Sequence, residues 1–265
     1  MTRSLHDSKL TFTVTYLWSR PLGSPHLPNL TADLLCSYSD AALRNAGELL
    51  AEAYLLLEHD HVARAYFLAV ACIEESGKAL QAFDAQNRNL SDPAIGQILK
   101  NGTQDHSQKI TYALGAWALS SPDQRNAVKV AAGLISQLKR GREPSMYAEL
   151  RTNPDRVQTP GEIVRATAAR DCVTLAENCL AHARHHVSAK TPIKFTSAQN
   201  RLFTMKSAKF QQMLRTEDFW WYYISRMEAG QQDDLAEAVL GYEREHIKAG
   251  ILFRPANASD EETAY

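Results

Sequence analysis

From Asp40 onward the apolar positions recur three and four apart: Ala41, Ala42, Ala46, Leu49, Leu50, Ala53, Tyr54 and Leu57. That spacing predicts an amphipathic helix. His59 and Asp60 break it, and Val62 to Phe83 forms a second helix that is apolar almost all round between Ala65 and Ile73. All-round apolarity marks the central, most buried helix of a bundle. Asn87 to Asp92 with Pro93 reads as a turn, Ala94 to Leu99 as a short helix, and Asn101-Gly102-Thr103 as a break that offers Thr103 as an N-cap. A third long helix then runs from about Gln104 to Leu119. Pro122 opens a fourth, with Val128, Ala131, Leu134, Ile135 and Leu138 in helical phase and the basic run Lys139-Arg140-Gly141-Arg142 at its end. Residues 143 to 161, with Pro144, Pro154, Pro160 and Gly161, read as an irregular loop before a fifth helix that reaches about His186.

The two ends differ from this middle. Leu10 to Tyr16 alternates at period two and suits a half-buried strand, and Pro21, Pro25 and Pro28 follow as a linker. Beyond Pro192 come a basic stretch from Lys194 to Lys209, the aromatic block Phe219 to Tyr223, a helix from Asp234 to Ile251, and an acidic tail, Ala258 to Glu262, read as mobile. The expected architecture is all-α, an antiparallel helical bundle over 39–190, with a strand-like extension at 1–38 and a helical extension at 191–265.

Composition narrows the function classes. The 29 Lys and Arg against 30 Asp and Glu leave a net charge of -1 over 265 residues, so any phosphate site must be local rather than chain-wide. The apolar stretch Ala65 to Ile73 falls far short of the roughly 20 residues that cross a bilayer, and the first residues lack the apolar run of a secretory signal. The expected address is cytoplasmic, with no membrane partner. The four cysteines form no C-x-x-C pair, so neither a disulfide framework nor a zinc finger is expected.

The chemistry begins with charges where charges are costly. The buried second helix carries Glu74, Glu75 and Lys78, and at 100° per residue Arg64, Ala71, Glu75 and Lys78 share one stripe with Glu74 on its flank. The plainer account is an i, i+4 pair of Glu74 and Lys78, with Ser76-Gly77 marking close helix packing. At the start of the third helix His106 and Lys109 lie three apart on one face. Packed beside the second helix they would form a pocket with a possible base, two lysines and an orienting carboxylate, a set that suits a phosphate group. As surface residues of a first turn they would mean nothing. His182, His185 and His186 could hold a transition metal, but their place at a helix C-terminus is the better account of them, and no metal or other cofactor is expected. The block Phe219 to Tyr223 reads as core or dimer surface, and Lys139, Arg140, Arg142, Arg151 and Arg156 as a solvated cluster able to touch phosphates.

Asn45-Ala46-Gly47-Glu48-Leu49-Leu50, Ala63-Arg64-Ala65-Tyr66, Glu74-Glu75-Ser76-Gly77-Lys78, Asp105-His106 with Lys109, and Met146-Tyr147-Ala148-Glu149 occur in one order. The series resembles the AbiV family of abortive-infection (anti-phage) proteins in the HEPN superfamily, over about Ser39 to Lys190. The resemblance implies a HEPN-like helical domain working as a homodimer, with a site facing the shared cleft, and a role in phage defence. Glu149 stands where the family usually has an aspartate. The Arg followed four to six residues later by His that many HEPN ribonucleases carry is absent from every expected helix, so any endoribonuclease activity must rest on other residues. For metal-independent RNA cleavage those would be His106 as base, Glu75 as its orienting group, Lys78 and Lys109 as phosphate clamps, and Arg64 and Tyr147 as further phosphate contacts. The other expectation is a non-catalytic dimeric sensor or scaffold that binds a phage or host protein.

Overall fold

The computed structural model describes residues 30–152, 155–231, 235–251 and 253. The strand expected at Leu10 to Tyr16 and the acidic tail lie outside them. The molecule is an all-α helical bundle, with one small hairpin set among the helices.

Helix α1 spans Ala32–Glu58 and so begins well before Asp40. Thr31 caps it, its hydroxyl accepting from the Leu34 N–H at 3.1 Å, and Asp33 sits in the first turn where the helix dipole favours an acid. The break at His59 and Asp60 has a specific form. Asp60 takes a positive φ of 58°, and the His61 and Asp60 amides donate back to the Leu56 and Leu57 carbonyls at 2.8 and 3.2 Å. That is a Schellman closure, with Asp tolerating the left-handed position more readily than most residues. The chain reverses at once into α2, Val62–Ala85.

Helix α2 is the axis of the bundle. α1, α4 (His106–Ser120) and α7 (Ala166–Ala189) all pack on it, and α5 (Gln124–Arg142) packs on α4. Its buried surface is largely small residues, Ala65, Ala69, Ser76, Gly77 and Ala79 among them, interleaved with Val70, Ile73 and Leu80. Small side chains let neighbouring backbones come close. At Gly77 the approach is extreme: a Cβ added there would lie 2.0 Å from the Lys109 carbonyl oxygen of α4. The Ser39 hydroxyl of α1 donates to the Ala79 carbonyl at 2.9 Å, fixing α1 along the opposite side.

Between α2 and α4 runs α3, Pro93–Gln104, capped by Asp92, whose carboxylate accepts from the Ala94 N–H at 2.9 Å. The expected N-cap of α4, Thr103, lies inside α3; the cap is Asp105, accepting from Gln108 N–H at 3.0 Å. The expected irregular loop contains an antiparallel hairpin, β1 (Glu149–Thr152) with β2 (Asp155–Gln158), followed by the single turn α6, Pro160–Ile163. Past α7 the chain forms α8 (Ser197–Phe203), α9 (Ser207–Leu214), α10 (Glu217–Glu228) and α11 (Leu235–Tyr242), the last running on into a π-helical turn at Glu243–Ile247. These have a small core of their own around Met213, Phe219, Tyr222, Val239 and Tyr242. The aromatic block is thereby divided, Phe219 and Tyr222 inside and Trp220 and Trp221 exposed. Among the described residues no helix is long and apolar enough to cross a membrane.

Two glycines should answer oppositely to one added methyl group. Gly77→Ala must push α4 away from α2 and is expected to cost about 3 kcal/mol, whereas Gly115→Ala, where the new Cβ meets nothing within 4 Å, should gain about 0.5–1 kcal/mol from helix propensity. Urea unfolding of both variants measures the difference.

Candidate functional site

The close approach at Gly77 brings the first turn of α4 over Glu74, one turn earlier on α2. Because Asp105 fixes where α4 begins, His106 and Lys109 both face that carboxylate. His106 Nδ1 lies 2.7 Å and Lys109 Nζ 2.9 Å from the same oxygen, Oε2. The other oxygen, Oε1, faces Arg142 Nε at 2.8 Å, from the last turn of α5. That contact is one of charge only, since the N–H is not aligned on the oxygen. Three basic groups from two helices thus converge on one carboxylate of a third.

Exposure divides this cluster. The side chains of Glu74 and Lys109 are 5% and 7% exposed, whereas that of His106 is 52% exposed. A carboxylate only accepts, so the imidazole presents Nδ1–H to Glu74, and Nε2 is the ring nitrogen left unengaged by it. Arg142 also pairs with the exposed Glu143 and lies over the Phe67 ring, 5.1 Å from its centroid. Below it, the Ser145 hydroxyl donates to the Arg142 carbonyl at 2.5 Å and so ends α5 in a buried turn.

The residues expected to act together are divided between two places. His106 and Lys109 meet on Glu74. Glu75 and Lys78 instead pair with each other, and the Lys78 ammonium lies 5.9 Å from the Tyr38 ring centroid of α1. The expected i, i+4 pair of Glu74 with Lys78 is therefore replaced by an i, i+3 pair, and Glu74 rather than Glu75 orients the histidine. Arg64 reaches the turn after α5, donating to the Met146 carbonyl at 3.1 Å, and the neighbouring Tyr147 is exposed. Arg142, read from the sequence as part of a solvated basic cluster, is the third member of the Glu74 group. Its helical phase was the available signal: it follows the buried Leu138 by four residues, on the same face.

The cysteines and the histidine run take structural places. Burial pushes the Cys72 thiol up to about 12 and those of Cys172 and Cys179 higher still, so all three stay protonated. His186 Nε2 lies 3.0 Å from Asp84 Oδ1, a carboxylate partner not foreseen, and His182 Nδ1 lies 3.0 Å from the Ser120 hydroxyl. Burial, then the neighbouring His186, lowers the His182 pKa. Among the described residues no group of three or more His, Cys, Asp and Glu is arranged to hold a metal ion.

Removing the charge of Glu74 strands the buried Lys109 ammonium and takes one of its two carboxylate partners from Arg142. Glu74→Gln is therefore expected to destabilise by about 3–5 kcal/mol, whereas Glu75→Gln, which releases a pair at the edge of solvent, should cost under about 1 kcal/mol. Urea midpoints at neutral pH decide this, and equal losses would mean that the Glu74 group is no more sealed than its neighbour.

No curated protein and no solved structure matches the chain. The family model for AbiV, a HEPN family, matches residues 34–181, which takes in α1 to α5, the hairpin and most of α7, and with them Glu74, His106, Lys109 and Arg142. The chain belongs to the AbiV family of HEPN domains, a family associated with abortive infection.

Proposed function

We propose that the protein is an anti-phage abortive-infection effector that works on RNA, as a homodimer, with His106 as its general base. The observation that carries this is the geometry of one imidazole, held at Nδ1 by a buried carboxylate while half of the ring stays open to solvent. A carboxylate behind an imidazole fixes its tautomer and stabilises the cation formed when Nε2 takes a proton. In RNA the proton would come from a ribose 2'-hydroxyl. The 2'-oxygen then attacks the adjacent phosphorus, the bond to the 5'-oxygen breaks, and that oxygen leaves with a proton, giving a 2',3'-cyclic phosphate and a 5'-hydroxyl end. No metal is needed for such a step.

Lys109 and Arg142 serve this centre from behind. With both directed at Glu74 they hold its carboxylate in place, and they are not the phosphate clamps. That task falls to exposed cations around the rim: Lys139 and Arg140, within one turn of Arg142, and Arg64 next to the exposed Tyr147. The second copy of the chain would complete the cleft.

A second reading has an observation of its own. Glu74 and Lys109 are almost wholly sealed, as expected of a network whose work is to fix helix register in a scaffold that binds a phage or host protein. The two readings differ over His106, which lies at the rim, where its loss should leave the fold intact.

His106→Ala is expected to abolish growth arrest on expression and to lower RNA cleavage by purified protein about 10²- to 10⁴-fold, with an unchanged circular dichroism spectrum. If cleavage and arrest both persist in the folded variant, the base assignment fails; if the parent cleaves no RNA and the folded variant arrests growth as the parent does, the scaffold reading stands.

A further inference from the structure

The far end of α2 holds a charge treated in the opposite way. Arg88, just beyond the helix, has its guanidinium between the rings of Phe195 and Phe203, 3.8 Å from each centroid. Its Nη1 is buried without a hydrogen-bond partner, and among the described residues no carboxylate pairs with it. The natural partner would be Asp84, four residues earlier. Both oxygens of Asp84 are engaged elsewhere: Oδ2 accepts the Tyr112 hydroxyl at 2.6 Å and Oδ1 faces His186 Nε2 at 3.0 Å. Burial, together with the charge of Asp84, raises the Tyr112 pKa, so its hydroxyl remains a donor. Desolvation lowers that of Arg88, outweighing the charges of Tyr112 and Asp84, which raise it.

Arg88 lines a cavity of about 320 Å³ between the bundle and the segment that leads into α8. One side is apolar, with Leu99, Ile193 and the two phenylalanines, and the other carries the side chains of Gln81, Gln108 and Tyr112, with Asp84 behind them holding the Tyr112 hydroxyl. A larger hollow of about 620 Å³ adjoins it, sharing Gln81, Asp84, Gln108 and Tyr112 and reaching Lys139. The wall from the C-terminal segment is tied down, since Asn87 Nδ2 donates to the Pro192 carbonyl at 2.7 Å and the Asn89 amide to Asn200 Oδ1 at 3.3 Å. A mostly apolar hollow with a few convergent polar groups is the usual form of a small-molecule site, and a guanidinium already immobilised by aromatic stacking loses little freedom in gripping an oxyanion.

We propose that this cavity binds a small organic oxyanion, a carboxylate or phosphate monoester on an apolar body, with the anionic head on Arg88. A bare inorganic anion would leave the apolar wall unused, and a neutral ligand would leave the edge of the guanidinium without a charged acceptor. His106 does not line the cavity, which is walled jointly by the family domain and the C-terminal segment, so its occupant would clamp one to the other.

The test uses the full chain and four probes: benzoate, phenyl phosphate, the neutral isostere benzamide, and inorganic phosphate. Binding is followed by calorimetry and by the NMR signal of the Arg88 Nε–H. The expected result is saturable binding of benzoate or phenyl phosphate with a shift of that signal, about 10- to 100-fold tighter than benzamide or inorganic phosphate and lost in Arg88→Gln. The tighter of the two names the head group. Because Arg88→Gln also removes the filling between two rings, Gly102→Leu serves as a second variant. A Cβ at Gly102 meets only the ends of Gln108 and Gln81, at 3.2 and 3.4 Å, so leucine there fills the cavity with Arg88 in place and should abolish binding too. Binding of neither aromatic anion, equal binding of benzamide, inorganic phosphate binding as tightly as they do, or binding undiminished in a folded variant would each overturn the proposal.

Discussion

A single buried carboxylate decides how this bundle is put together. Glu74 lies in the middle of the most enclosed helix, where an unpaired charge would cost several kcal/mol, so the chain must bring positive groups to it. They come from the beginning of α4 and the end of α5, which are far apart in sequence. The gain in stability is modest, because desolvating all these charges offsets most of their attraction. The gain in specificity is larger. The faces that α2 offers its neighbours are rich in alanine, serine and glycine, which pack closely and discriminate poorly between one register and the next. Sliding α4 along α2 by one turn would cost little shape complementarity, but it would carry Lys109 away from Glu74.

Two adjacent glutamates therefore have unrelated duties. Successive residues on a helix point about 100° apart, which turns Glu74 toward α4 and α5, while Lys78, the partner of Glu75, lies over Tyr38 of α1. His106 sits on the boundary of the first group, bonded inward and open outward, and this position alone separates a histidine able to do chemistry from one that merely fills a seam.

Much of the bundle was legible in the sequence because helical periodicity over long segments is a strong signal, and the all-round apolarity of Ala65 to Ile73 correctly marked α2 as the axis. The hairpin at Glu149–Gln158 was not legible, because Leu150 and Val157, its only large apolar residues, face solvent at 83% and 60% exposure. A ribbon with no buried face leaves no alternation to read. The true start of α1 carried its signal in Thr31 and Asp33, but the prolines just before it drew the reading toward a linker. As for the site, the sequence placed the charges on the right helices. It did not say which carboxylate would meet which cation, since that depends on the approach of α4 at Gly77 and on Asp105 rather than Thr103 capping that helix. The phase of a helix relative to its neighbour is a tertiary quantity, and a shift of one residue in the cap exchanges the facing set.

The contrast between Glu74 and Arg88 shows where evolution of this fold has left room for a ligand. Both are wholly or partly withdrawn from bulk water, Glu74 midway along α2 and Arg88 just past its C-terminal end. Glu74 is met by three basic groups of the chain itself, so its carboxylate needs no ligand from outside. Arg88 has been given two aromatic faces, which satisfy the flat sides of a guanidinium but not its edge, where the N–H donors require acceptors. Asp84 could have filled that need and instead binds Tyr112 and His186. If anchoring the C-terminal segment were all that Arg88 did, a leucine between the same two rings would serve without the cost of burying a charge. Keeping a cation there, beside a hollow with amides on one wall and hydrocarbon on the other, makes physical sense when something anionic occupies the hollow for part of the protein's working life.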